Sequence, residues 1–182
     1  MSRRLLLGVS GGIAAYKACG IVSDALKQGF EVRVVMSANA TRFVGEATFE
    51  GLTGHAVMTD TFHGEDGMAH IEWPKWAEVV CVAPATANLL GKLACGLADD
   101  ALSTVLMAVR RGTPVVLAPA MNTEMWFHPV VQRNLGWLGE MPRYRIVEPV
   151  DKRLACGDVG VGGLAGAEAI LAAIVAACEE SG

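Results

Sequence analysis

Three side chains able to do chemistry stand in distinctive settings along this 182-residue chain: His70, Asn122 and Cys156. An imidazole that titrates near neutral pH is a natural base for a thiol or an acidic C–H. His70 lies in Met68-Ala-His-Ile-Glu-Trp-Pro-Lys-Trp76, directly after a polar loop. A lone histidine is more often structural than catalytic, and His55, His63 and His128 have less beside them than His70. Asn122 closes Pro119-Ala-Met-Asn, where a neutral amide can bind a carboxylate or an amide without adding charge. Met125 and Trp126 follow it, as an apolar wall or as ordinary helix packing. Cys156 lies in Leu154-Ala-Cys-Gly-Asp-Val-Gly-Val-Gly-Gly-Leu164. The glycines at 157, 160, 162 and 163 predict neither helix nor strand, because glycine loses the most backbone entropy on ordering. The segment reads as a flap over residues 150–166 that brings a thiol to a bound molecule, or as a linker with an idle thiol.

The elements that must position these residues are read from apolar spacing. Arg4–Val9 is a strand ending at Ser10-Gly11-Gly12, and Ile13–Lys27 a helix closed by Gly29. Glu31–Met36 is a second strand, followed by short helices over Ala38–Phe43 and Thr48–Thr53 and a loop over Thr59–Met68. Glu78–Ala83 is a continuous apolar strand that stops at Pro84. Helices over Ala87–Cys95 and Asp100–Arg110 follow, with Asp99 and Asp100 placed to cap the second. Pro114–Leu117, a helix over Pro129–Leu138, a strand over Arg143–Val147 and a last helix over Ala167–Glu179 complete the order. Fully apolar strands alternating with helices mean a parallel sheet covered on both faces, an α/β architecture in one domain. Ligands bind such sheets beyond the carboxyl ends of the strands. Three of those ends carry unusual residues: Ser10-Gly11-Gly12, Pro84-Ala-Thr-Ala-Asn88 and Pro119-Ala-Met-Asn122.

Gly8-Val9-Ser10-Gly11-Gly12 opening a helix suits an anion, through backbone N–H groups and a hydroxyl from Ser10. A plain tight turn is the alternative. Ser10 replaces the second glycine of the dinucleotide fingerprint, and the second strand ends Val35-Met36-Ser37 with no acid for a ribose, which argues against NAD. No Gly-Lys-Ser/Thr follows, so it is not a P-loop. The pattern formally matches the hydrolase elbow, but that elbow follows several strands and does not open the chain. Ser37-Ala38-Asn39 adds neutral donors near the same phosphate, and a mononucleotide such as FMN fits better than a dinucleotide. A flavin-only electron-transfer module would explain the glycine pair but not Asn122 or Cys156.

Bulk properties set the class. Apolar residues make up 52% of the chain, and the mean hydropathy is +0.38. No apolar run reaches the roughly 18 residues needed to cross a bilayer, and Met-Ser-Arg-Arg opens a poor signal peptide. Net charge is −4, with 15 Lys and Arg against 19 Asp and Glu and no basic cluster, which argues against nucleic acid. Five scattered cysteines match neither a zinc pattern nor a disulfide framework and read as reduced thiols. The expectation is a cytoplasmic, oligomeric globular protein with no metal site.

Gly11-Gly12-Ile13-Ala14-Ala15, His70-Ile71-Glu72, Pro119-Ala-Met-Asn-Thr-Glu-Met-Trp126 and Ala155-Cys-Gly-Asp158 occur here in that order. Together they resemble the homo-oligomeric flavin-containing cysteine decarboxylases, among them the stand-alone phosphopantothenoylcysteine decarboxylases, over essentially the whole chain. The resemblance implies a Rossmann-like or flavodoxin-like doubly wound sheet, FMN (with FAD the alternative) bound between subunits, and trimers or multiples of trimers. It implies His70 as base, Asn122 at the substrate's cysteine carboxylate, and Cys156 as proton donor in a final reduction. Ser10, Gly11, Gly12, Ser37, Asn39, Thr86, Asn88, Ser103 and Ala120 would contact the flavin, and Met125, Gly157 and Asp158 the substrate. The implied reaction takes 4'-phosphopantothenoylcysteine to 4'-phosphopantetheine. Oxidation beside sulfur gives a thioaldehyde, whose C=S accepts the electrons left by CO2, and the enethiol is then reduced. Many members read Gly-Arg-Met where this chain has Gly162-Gly163-Leu164, which leaves the hold on the substrate phosphate open. The rival within the resemblance is oxidative decarboxylation of a peptide's C-terminal cysteine, which stops before the reductive half and has no use for Cys156. A non-catalytic phosphatase-binding relative would have no use for His70, Asn122 and Cys156 together.

Overall fold

A computed structural model describes residues 3–62, 68–153, 157 and 159–180. Five strands form one parallel sheet: β1 (Arg3–Val9), β2 (Phe30–Met36), β3 (Val79–Ala85), β4 (Val115–Pro119) and β5 (Tyr144–Ile146), in the order β2-β1-β3-β4-β5. The chain starts in the middle, steps out to β2, then returns past β1 to build the other half. Leu5 pairs with Val32 on one side and with Val79 on the other, so β1 is central and buried.

The apolar runs of β1, β3 and β4 follow from that position. Alternate residues face opposite sides of a strand, and both sides are covered. Leu5, Leu7 and Val9 join a core with Ile21, Phe49 and Ile170. These come from α1 (Ala18–Lys27), α2 (Glu46–Thr53) and α8 (Ala167–Glu179). Leu6, Val80 and Leu117 face a second core with Leu90, Leu102 and Leu138. Those belong to α4 (Ala87–Cys95), α5 (Ala101–Met107) and α7 (Pro129–Gly139). Trp73 and Trp76 of α3 (Ala69–Trp76) pack partly buried against the second core, with the Arg33 guanidinium 5.5 and 4.4 Å from their ring centres.

Several boundaries differ from the expected ones. Ile13–Lys17 is a tight 3-10 turn ahead of α1, and of the helix expected over Ala38–Phe43 only Ala40–Arg42 is helical. β3 runs through Pro84 to Ala85, with its register on β4 shifted between Val82 and Ala85. Proline stays in the strand because its missing N–H is at the sheet's end, where the ladder is already irregular. α5 ends at Met107, and a short α6 (Thr123–Trp126) follows Asn122.

The largest correction concerns the glycine-rich segment. Val150–Arg153 and Val159–Gly163 form an antiparallel pair, β6 and β7, with Asp151 opposite Val161 and Lys152 opposite Gly160. A ladder uses only N–H and C=O groups, which glycine has, and contacts from elsewhere in the fold hold it in place. Met121 N–H donates to the Gly162 carbonyl at 2.9 Å. Gly157 is exposed, and Cys156 and Asp158 lie outside the described residues. Among the described residues no helix is long and apolar enough to cross a membrane, and no three His, Cys, Asp or Glu are grouped to hold a metal ion.

Candidate active site

The carboxyl ends of β1, β2, β3 and β4 open onto one cavity of about 910 Å3. Ligand cavities commonly span roughly 300–1,000 Å3, so this one admits a mononucleotide together with a substrate. Ser10, Gly11 and Gly12 line it from β1, and Ser37 and Asn39 from β2. Thr86 and Asn88 contribute from β3, and Ala120, Asn122 and Met125 from β4. The cavity therefore gathers ten of the residues singled out in the sequence.

Glycine is required where these ends approach one another. A Cβ on Gly11 would stand 2.7 Å from the Asn39 carbonyl carbon, closer than real Cβ contacts come, whereas one on Gly12 would meet only Thr86 Cγ2 at 3.4 Å, an ordinary contact. Gly162 has φ +141°, in the region L side chains avoid, and a Cβ there would overlap the Met121 carbonyl oxygen. Gly162 thus seats β7 directly behind the Met121–Asn122 wall.

Ser10 does something other than expected. It is 2% exposed, and its hydroxyl donates to the Pro84 carbonyl at 2.7 Å while accepting the Thr86 N–H at 3.0 Å. Its proton is thereby committed to joining the ends of β1 and β3. The anion donors left are the backbone N–H groups of Gly11 and Gly12, which have no acceptor among the described residues. Ser103 is not on the cavity wall. It is fully buried and forms a capping box with Asp100, donating its N–H to Asp100 Oδ1 at 2.8 Å and accepting the Asp100 N–H at 3.1 Å. Asp100 does line the cavity, but Lys92 neutralises it at 2.6 Å. Burial pushes the Asp100 carboxyl up, and the Lys92 and Ser103 hydrogen bonds outweigh it, so the net shift is downward.

Asn122 caps α6, its Oδ1 accepting the Glu124 N–H at 2.8 Å, which fixes the amide on the wall. His70 does not line the cavity within one chain. It lies half-buried in the first turn of α3, and its Nδ1 is buried with no hydrogen-bond partner among the described residues. The sequence reading missed Tyr16, Lys17, Lys152 and Arg153, which also line the cavity. Lys17 follows Gly12 by five residues, a usable signal. Lys152 had none, since only the hairpin brings it in. Its side chain lies over Gly163, where a Cβ would stand 2.7 Å from Lys152 Cγ, and its Nζ donates to the Leu164 carbonyl at 3.1 Å.

Backbone N–H groups at the glycine turn, with neutral amides and hydroxyls around them, suit a phosphate monoester and the polar edge of a flavin. No unpaired carboxylate among the described lining residues opposes it. FMN fits this donor set. Strand order and cavity together define a flavodoxin-like mononucleotide-binding protein.

Known proteins bear this out. The Flavoprotein family matches residues 1–179, and the chain belongs to it. The coenzyme A biosynthesis bifunctional protein CoaBC of Bacillus subtilis (strain 168) is 48% identical over 165 residues, covering 90% of this chain and 40% of that protein. The chain thus spans about two fifths of the length of such bifunctional relatives. A probable phosphopantothenoylcysteine decarboxylase of Streptococcus mutans is 38% identical over 173 residues, covering 94% of this chain and 96% of that one. Among solved structures, a cysteine-to-serine mutant of PPC decarboxylase complexed with pantothenoylaminoethenethiol superposes with TM-score 0.86 at 32% identity, covering 98% and 100% of the two chains. The FMN-dependent cysteine decarboxylase SpaF gives 0.83 at 37%, covering 98% and 97%.

Proposed function

We propose that the protein is an FMN-dependent cysteine decarboxylase acting on 4'-phosphopantothenoylcysteine, releasing CO2 and 4'-phosphopantetheine. The observation that carries this reading is the Asn122 amide, fixed by its cap on the wall of a cavity whose opposite edge offers the free N–H groups of Gly11 and Gly12 to a phosphate. Likeness to the Streptococcus mutans protein along nearly the whole of both chains supports it. FMN, when bound, supplies the two-electron oxidation beside sulfur and the later return of a hydride. Gly11 and Gly12 N–H groups hold its phosphate, with Ser37, Asn39, Thr86 and Asn88 around it. Asn122 donates to the substrate carboxylate and aligns the bond to CO2 without adding a cation that would hold the product. Cys156 gives the closing proton.

His70 takes the thiol proton, and it comes from a second copy of the chain. Its absence from the cavity of its own chain supports that arrangement, as does exposed apolar surface at Ile13, Tyr16, Met125 and Phe127. The protein is then a homo-oligomer, a trimer or a multiple of trimers, working in the cytoplasm.

Oxidative decarboxylation of a peptide's C-terminal cysteine is the second reading, favoured by the likeness to SpaF. Mass spectrometry of products separates the two, using 4'-phosphopantothenoylcysteine beside a cysteine-ended peptide. The first reading expects a loss of about 44 mass units (CO2) from the small molecule, and the second about 46 (CO2 and two hydrogens) from the peptide. Turnover of the peptide alone would overturn the first.

A further inference from the structure

Two lysines on the cavity wall have no anionic partner among the described residues. Lys17, at the end of the 3-10 turn, and Lys152, on β6, both line it, and their side chains meet. Among the described residues neither has a carboxylate within ion-pair reach, whereas the third lysine of the wall, Lys92, lies 2.5 Å from Asp99 and 2.6 Å from Asp100. Like charges are not normally packed together without an anion between them, because each raises the cost of ionising the other. Burial first, and the Lys17 ammonium second, push Lys152 down to about 8. Lys152 is nevertheless held in place, by the Leu164 carbonyl and by the bare backbone of Gly163 beneath its stem.

We propose that Lys17 and Lys152 form a phosphate-monoester subsite separate from the one at Gly11 and Gly12, and that it takes the terminal phosphate of the substrate. This rests on the substrate reading above. A phosphate monoester is mostly a dianion at neutral pH, so it matches two ammonium groups in charge. Two phosphate sources compete for the pair, flavin and substrate, and topology favours the substrate. Lys152 rests on Gly163, and the adjoining Gly162 abuts Met121, so Lys152 sits with the Asn122 wall at the end of β4, and Lys17 meets it from the turn that follows β1. Gly11 and Gly12, which hold the flavin phosphate in this reading, follow β1, two strand positions away in the sheet, or about 10 Å at the usual spacing. Arg153 lines the same stretch and extends the positive rim.

Calorimetric titration of the flavin-loaded protein tests this with two probes, 4'-phosphopantothenate and pantothenate, which differ only by the phosphate. The wild type should bind the phosphorylated probe at least tenfold more tightly. Lys17→Gln and Lys152→Gln should each remove about tenfold of that preference, the order expected for a charged hydrogen bond. Lys152→Arg should restore part of it, and the flavin content read near 450 nm should not change. Equal binding of both probes by the wild type, or an intact preference in both glutamine variants, overturns the subsite. Loss of flavin in step with the lysines overturns it too, by assigning the pair to the flavin phosphate. If the wild type prefers the phosphorylated probe through both lysines yet does not decarboxylate 4'-phosphopantothenoylcysteine, the subsite stands and the substrate reading falls.

Discussion

At the residue scale the site separates groups that face a ligand from groups that hold others in place. Ser10 looks from its setting like a phosphate donor, and burial makes it a clasp between the ends of β1 and β3. Ser10→Ala would leave the Pro84 carbonyl and the Thr86 N–H without that partner. It should cost about 1–3 kcal/mol of stability, the usual penalty for an orphaned buried polar group, while FMN affinity changes little once the fold is intact. Denaturant unfolding and flavin titration check the two halves. Unchanged stability with weakened FMN binding would return Ser10 to the donor role. Asp100 and Ser103 are a second such pair, spending their polar atoms on the start of α5 and on Lys92.

At the element scale the β6–β7 hairpin decides the shape of the substrate end. Its β7 strand is tolerable only because Gly162 combines a φ of +141° with a backbone that touches Met121. Gly162→Ala should therefore destabilise the protein by about 1–3 kcal/mol, the range for one strained backbone position. It should also weaken substrate binding by moving the Asn122 wall. Gly20→Ala is the control. Gly20 lies in α1 with nothing within 4 Å of an added Cβ, and the change should stabilise by roughly 0.5–1 kcal/mol. Thermal melts and KM of the two variants measure the contrast, and equal behaviour would show that the hairpin does not seat the wall.

At the scale of the whole molecule, one chain carries the cavity and a histidine that does not reach it. If a neighbouring copy brings His70 to that cavity, His70→Asn and Asn122→Ala should each be inactive alone yet recover activity when unfolded and refolded together. Mixed assemblies would then contain sites with both wild-type residues. No recovery, with mixed oligomers demonstrated by mass, would place His70 and Asn122 in the same chain's site.

Most of the sheet was legible because buried parallel strands are written as apolar runs, and β1, β3 and β4 are such runs. The cavity residues were legible for a related reason: in this architecture strand ends converge, so Gly11, Thr86 and Asn122 mark one place although 36 or more residues separate each from the next. Local sequence also determined α8 and the Asp100 cap, whose signals lie within a few residues of one another. Tertiary structure alone decided the rest. Glycine's entropy argues against a strand at 159–163, yet pairing with β6 and the Met121 hydrogen bond offset it. Whether Ser10 and Ser103 face a ligand or a neighbour depends on burial, which no local pattern encodes. Lys17 and Lys152 are 135 positions apart, and only folding over Gly163 puts their charges side by side.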